Sequence, residues 1–393
     1  MTLTVLRPVP RRARGARPLR PIASPKPPLD REAAMAAALA RVDAVVREGI
    51  SEPLRAMVQE HLAAGGKRVR VALALECAAA VGVPLRKAVP IAAASELLHN
   101  ATLIHDDLQD GDLLRRGAPT LWARHGAAQA INAGDVLLML PLVALAEAGE
   151  GATRATQMAT LARRAAATAS GQADELALLP DGRLGWADYQ GAAIGKTGQI
   201  LAIPFEAAAS LAGLGASAAR AVGDLAASLG LVYQVADDVL DLYGVRGRDR
   251  VGNDLREGKV SAVVACHLEL RPADRPALLA LLRTSRDATP DDAVGLWTAR
   301  MAASGAHGLA LGRARDATAH LATAPLPAEV AGLRSLWLGL RERFLAPAEA
   351  VLRAAPGGAQ ARPAPPSPLL AWPWRQSARP RPAPSPRPRR SPS

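Results

Sequence analysis

Apolar positions recur every three or four residues from Asp30 to about Pro347, and no stretch alternates strictly as a half-buried strand would. The pattern predicts a helix from an N-cap at Asp30 through about Val46. Further helices are predicted at roughly 51–63, 69–81, 86–108, 119–127, 132–148, 153–178, 185–210, 216–243 and 255–270. Shorter ones follow at about 273–284, 290–303, 307–323 and 328–346. Gly, Pro and Asp mark the breaks, as at Gly65-Gly66, Gly82-Val83-Pro84 and Pro180-Asp181-Gly182. Several long helices are apolar around most of their circumference, which places them inside a bundle. The expected fold is therefore all-α, one large helical bundle over residues 30–347, with no fixed-period repeat. No run of about 18 apolar residues is read as a membrane span, and no apolar-cored signal peptide is read at the start.

Composition supports this reading. Hydrophobic residues make up 49% of the chain and aromatic residues only 3%, so alanine and leucine carry the apolar content and favour helix over sheet. The net charge of +12 suggests a nucleic-acid or membrane binder, but its distribution argues otherwise. Residues 1–29 carry seven Arg or Lys and no acid, and residues 354–393 carry seven Arg and no acid. Removing these 14 charges from +12 leaves −2 for residues 30–353. The Pro/Arg-rich segments 1–29 and 348–393 have no apolar periodicity and are expected to be disordered tails. They allow weak contact with an anionic membrane surface, and no nucleic-acid partner is expected. Cys77 and Cys266 stand alone in apolar helical sequence and read as buried free thiols, which suits a cytoplasmic protein.

The chemistry lies in two aspartate clusters, Asp106-Asp107-Leu108-Gln109-Asp110 and Asp237-Asp238-Val239-Leu240-Asp241. Residues four apart share a helix face, so Asp106 aligns with Asp110 and Asp237 with Asp241. Like charges at this spacing cost an isolated helix roughly 0.2–0.5 kcal/mol. Two such clusters in apolar sequence call for a cation, and hard carboxylate ligands with room for water and phosphate suit Mg²⁺. Cations accompany them. Gly65-Gly66-Lys67-Arg68-Val69-Arg70 forms an anion-binding turn at a helix start. His99 lies two turns before Asp106 on the same face, and Arg115-Arg116 follow the first cluster. Lys196-Thr197 sits in a long helix between Gly195 and Gly198, and Lys259 follows the second cluster.

Together these segments resemble a trans-isoprenyl diphosphate synthase of the polyprenyl synthetase family, of the geranylgeranyl or longer-chain type, over about residues 30–346. The likeness runs through the Gly-Gly-Lys-Arg-x-Arg turn, the segment Glu96 to Asp107, Arg115-Arg116-Gly117, Gly134-Asp135, Gly171-Gln172, Lys196-Thr197 and Tyr233 to Asp238. It implies an isoprenoid-synthase bundle with a central cavity between two aspartate-rich helices. The implied reaction joins isopentenyl diphosphate head to tail to an allylic diphosphate. Asp106, Asp110 and Asp237 match the direct ligands of three Mg²⁺ ions, with Asp107, Asp238 and Asp241 acting directly or through water. Arg115, Lys196 and Lys259 would hold the allylic diphosphate, and Lys196, Thr197 and Gln234 would stabilise the carbocation. Isopentenyl diphosphate would sit on Gly66, Lys67, Arg70, His99 and Arg116. A homodimer is expected. Val71 stands where proline is common, and Arg248 or Arg250 replaces the usual lysine after the second cluster.

In this family bulky residues four and five places before the first aspartate stop chain growth. Here they are Thr102 and Ala101, both small, so a product beyond farnesyl is expected. Farnesyl diphosphate synthase and a non-catalytic regulatory subunit are the alternatives. A class I terpene cyclase would need a second metal motif that begins at Asn253-Asp254 but breaks at Glu257 and Ser261.

Overall fold

The computed structural model describes residues 30–146, 148, 151–244 and 251–354; most of the two predicted tails, and both Arg248 and Arg250, lie outside the described residues. The chain opens with α1 (Arg31–Gly49), whose N-terminus is closed by Asp30 accepting the Ala33 amide at 2.7 Å. Next come α2 (Leu54–Ala63), α3 (Val69–Ala80) and α4 (Leu85–Gln109). A two-stranded hairpin, β1 (Leu114–Arg115) and β2 (Ala118–Pro119), follows. Then come α5 (Leu121–His125), α6 (Ala127–Leu145), α7 (Gly151–Ala177) and α8 (Trp186–Ala193). A π-helical turn, Ile194–Gly198, leads into α9 (Gln199–Leu211) and α10 (Ala216–Tyr243). The remainder comprises α11 (Asn253–Arg256), α12 (Ala262–Leu270), α13 (Arg275–Leu282), α14 (Asp291–Ser304), α15 (Ala306–Ala317) and α16 (Leu333–Ala354).

The two aspartate helices are among the inner ones, with α9 packed against both. Helix α4 packs on α1, α3, α6 and α9, while α10 packs on α9, α12, α15 and α16. Ile91, Leu97, Leu98, Ala101 and Ile104 of α4 are all sealed from solvent. Each buried Leu or Ile contributes about 1.5–3 kcal/mol. An apolar circumference thus explains why α4 is central, and its polar last turn opens at one end of the bundle.

Glycines bring three helices unusually close around the π-helical turn. A Cβ on Gly171 of α7 would collide with the backbone of Gly195 and Lys196. A Cβ on Gly230 of α10 would collide with Gly198. The turn carrying Lys196-Thr197 is thereby held between α7 and α10 at backbone contact.

Five features depart from the sequence expectation. The 114–119 hairpin was not anticipated; Arg116 (φ 56°) and Gly117 (φ 79°) supply the two positive φ values that a tight two-residue hairpin turn demands. The expected 185–210 helix is interrupted by the π-helical turn, and the 255–270 helix is split at Gly258 (φ 68°), with Ser261 capping α12. Helix α16 continues through Pro347 to Ala354, past the domain end placed at 347. Helix α6, with 19 residues and a mean hydropathy of 1.6, is long and apolar enough to cross a membrane, contrary to the reading that no such run exists. Both cysteines are buried free thiols, as expected.

Between α7, α9 and α10, Glu206 is buried and accepts from Thr160 (2.9 Å), Arg163 and Arg164 (2.9 and 2.7 Å). Arg164 is 1% exposed and also reaches Asp224 at 2.8 Å. Removing one partner of such a pair strands a charge in low dielectric. Arg164→Ala is therefore expected to lower stability by about 3 kcal/mol, read as a shift in the urea or guanidinium midpoint.

Candidate active site

The last turn of α4 presents Asp106 and Asp110 half-buried, with Asp107 turned inward and 1% exposed. Asp107 accepts from Arg115 Nε at 2.5 Å, and Nη2 of the same guanidinium closes on the same oxygen. The hairpin therefore aims Arg115 at the first cluster. Burial pushes the Asp107 carboxyl up to about 6 despite Arg115. Its other oxygen is buried with no hydrogen-bond partner. Asp106 is also raised, by burial first and by Asp110 and Glu175 next, against the pull of Lys196.

On α10, Asp237 is half-buried, and Asp238 and Asp241 are buried. Asp238 accepts from the Ala262 amide at the start of α12 (2.8 Å) and from Gln234 Nε2 (3.0 Å). Burial pushes it up to about 7. Asp241 accepts from the Asp254 amide at 3.0 Å. Asp254 itself is raised well above the usual carboxylate range, by burial and then by Asp241 and Asp238.

The two clusters are joined by residues the sequence marked, and the space that these residues border is the mouth of the site. Thr197 Oγ1 meets Gln234 Oε1 at 3.0 Å, and Gln234 passes the connection to Asp238. Lys196 Nζ lies 3.8 Å from Asp106 and 2.6 Å from Glu175 Oε2 of α7. Lys259 Nζ lies 2.8 Å from Asp110 and 2.8 Å from Glu257. Burial works against the Lys196 ammonium, but Glu175 and Asp106 outweigh it, so its pKa is raised and it stays charged. Arg286 adds a further strap, bonding Asp112 at 2.8 Å and the Asp110 carbonyl at 3.2 Å.

A second basic pocket lies beside the first cluster. Gly66 (φ +148°) is packed so closely on Arg116 that a Cβ would lie 2.6 Å from Nη1, which explains the glycine. Arg68 adopts φ 50° and turns back to Glu96 (2.7 Å) and the Leu62 carbonyl (2.9 Å), so it braces the turn. Arg70 lies over the Tyr233 ring, 5.7 Å from its centroid, and Lys67 is exposed at the rim. Burial, then Arg70, Arg115 and Arg116, holds His99 well below the usual imidazole value. His61 of α2 is pulled down to about 4 by burial and then by Arg115 and Arg116. Both imidazoles are neutral at neutral pH and offer hydrogen bonds to an anion whose charge the arginines meet. Ala101 is fully buried in the packing of α4, whereas Thr102, four residues before Asp106, lies on the aspartate face and is half-buried. His105 packs on Gly134, where a Cβ would collide with its ring, and lies 3.5 Å from Asp135, a bracing role.

Sequence reading missed Glu175, Glu257, Arg286 and His61. Only Glu175 left a local signal, one helical turn after Gly171. The donor set fits Mg²⁺: hard carboxylate oxygens raised by burial, one of them orphaned, amount to negative charge awaiting a cation. Among the described residues no three His, Cys, Asp or Glu are grouped to hold an ion alone. Carboxylates spread over two helices leave ligand positions for phosphate oxygens and water.

Residues 51–296 match the polyprenyl synthetase family model. A short chain isoprenyl diphosphate synthase from Methanothermobacter thermautotrophicus is 32% identical over 71% of this chain and 88% of its own. A geranylgeranyl diphosphate synthase from Mycobacterium tuberculosis is 32% identical over 71% of this chain and 83% of its own. The crystal structure of a polyprenyl synthetase from Streptomyces coelicolor superimposes with a TM-score of 0.67 at 28% identity, covering 82% of this chain and 98% of that one. Its fold, its paired aspartate helices and these likenesses agree, and the chain belongs to the polyprenyl synthetase family.

Proposed function

We propose that the protein is a Mg²⁺-dependent trans-prenyltransferase that condenses isopentenyl diphosphate head to tail with an allylic diphosphate, yielding geranylgeranyl diphosphate or a longer homologue. The observation that carries this is the pairing of two sites: carboxylates on α4 and α10 crossed by Lys196 and Lys259, and beside them the separate Gly66, Arg116 and His99 pocket. One site suits a metal-bound diphosphate and the other a diphosphate held by cations alone.

Mg²⁺ held by Asp106, Asp110 and Asp237 would neutralise charge on the leaving diphosphate. Arg115, Lys196 and Lys259 add fixed positive charge where the allylic C–O bond ionises. Asp107 aims Arg115, and Asp238 and Asp241 anchor α12 and α11 around the mouth. Thr197 and Gln234 present oxygens toward the developing carbocation. Lys67, Arg70, Arg116 and His99 hold isopentenyl diphosphate so that its double bond attacks the cation, and the departing pyrophosphate takes the proton.

The chain-length reading rests on Thr102, which shares the face of Asp106 one turn below it. A small residue there leaves room for a longer chain. The protein works as a soluble homodimer in this reading. Ile131, Met139 and Val143, spaced by eight and four residues along α6, are 47%, 59% and 46% exposed, and pairing two copies would cover this apolar face.

The deciding experiment supplies the protein with Mg²⁺, isopentenyl diphosphate and one primer at a time: dimethylallyl, geranyl or farnesyl diphosphate. Chromatography of the dephosphorylated products is expected to show alcohols of twenty carbons or more. A farnesyl end point would refute the chain-length reading, and no condensation with any primer would favour a regulatory subunit. Asp106→Asn is expected to lower kcat at least about 100-fold in the same assay while the fold is kept. Thr102→Phe should shorten the product. Ala101→Phe should do so only with an added loss of about 1–3 kcal/mol, because it overpacks α4. Met139→Glu is expected to halve the mass measured by light scattering.

A further inference from the structure

Each of the two lysines at the mouth has a glutamate partner that belongs to neither aspartate cluster. Lys259 is shared evenly, at 2.8 Å from Asp110 and 2.8 Å from Glu257. Lys196 is shared unevenly, at 2.6 Å from Glu175 and 3.8 Å from Asp106. The uneven case matters more, because Asp106 stands on the open face of the first cluster and every cation that sits on it competes with a metal ion.

The placement of Glu175 is built into the fold. Gly171 of α7 meets Gly195 and Lys196 at backbone contact, which fixes the crossing of α7 over the π-helical turn. Glu175 lies one turn further along the same face of α7. Gln172 between them donates to Gln109 of α4 at 2.7 Å and holds α7 against the first cluster. The π-helical turn in turn directs Lys196 into the mouth. Glu175 is 20% exposed and Lys196 19%, so the pair is sheltered while its ammonium still borders the site.

We propose that Glu175 is a positioning residue: its carboxylate draws the Lys196 ammonium off Asp106, leaving Asp106 to a metal ion and Lys196 at the place of the leaving diphosphate. A lysine with Asp106 as its nearest acid would close an ion pair there, and metal would have to displace it. With Glu175 present the ammonium keeps its charge and its place without blocking the ligand. This rests on the prenyltransferase reading above.

The test is a double-mutant cycle read by calorimetry, titrating inorganic pyrophosphate into the full-length protein over a series of Mg²⁺ concentrations, with condensation rates in parallel. Glu175→Gln is expected to raise the Mg²⁺ concentration for half-maximal pyrophosphate binding about tenfold, the scale of one charge-assisted hydrogen bond. In a Lys196→Gln background the same substitution is expected to add no further rise, since no ammonium remains to be drawn away. Glu175→Asp, shorter by one methylene, should fall between the parent and Glu175→Gln, and it carries the test if the glutamine variant does not fold. An equal rise in both backgrounds would make Glu175 a metal ligand and overturn the proposal. An unchanged Mg²⁺ requirement would reduce Glu175 to a charge partner and overturn it too. If the parent binds Mg²⁺-pyrophosphate but condenses nothing, the prenyltransferase reading fails instead.

Discussion

Negative charge gathered at the ends of two apolar helices has to be met by positive charge, and the architecture around the mouth answers that need. Asp106, Asp107, Asp238 and Asp254 are all raised above the ordinary carboxylate range, with burial as the first cause. Left alone, such groups would take up protons. Here four cations arrive from four different segments, Lys196 at Asp106, Arg115 at Asp107, Lys259 at Asp110 and Arg286 at Asp112. They meet part of the charge, and a divalent ion beside the half-buried Asp106, Asp110 and Asp237 would meet more of it.

Not all six motif aspartates do the same work. Asp106, Asp110 and Asp237 border the mouth, while Asp107, Asp238 and Asp241 face inward. The inward three fix Arg115, the start of α12 and the start of α11. A D-D-x-x-D repeat thus places carboxylates both at the open face and in the packing behind it, because adjacent residues on a helix point about 100° apart.

Close backbone approach supplies the rigidity that such a site needs. Gly171, Gly195, Gly198 and Gly230 let α7 and α10 clamp the π-helical turn that carries Lys196 and Thr197. Gly66 does the same for Arg116 in the neighbouring pocket, and Arg68 and Arg116 both hold positive φ values that their surroundings must enforce. A side chain at any of these glycines would move a cation relative to the carboxylates, so stability and function are set by the same contacts.

The sequence by itself determined the helical class, the apolar circumference that puts several long helices inside, and the faces that carry aspartate. All of these follow from helical periodicity, which is a local property. It also marked most of the charged residues that the structure gathers around the two clusters, since those motifs are contiguous. It did not give the hairpin that aims Arg115, because two-residue strands carry no alternation to detect. It did not give the π-helical turn either, whose residues keep the helical pattern of α8 and α9. Tertiary structure alone decided which acid each lysine meets: Lys259 and Asp110 are 149 residues apart, and Arg286 and Asp112 are 174 apart. Charge pairing depends on distance in space, and only the packing of α4, α7, α9 and α10 brings Glu175 to within reach of Lys196.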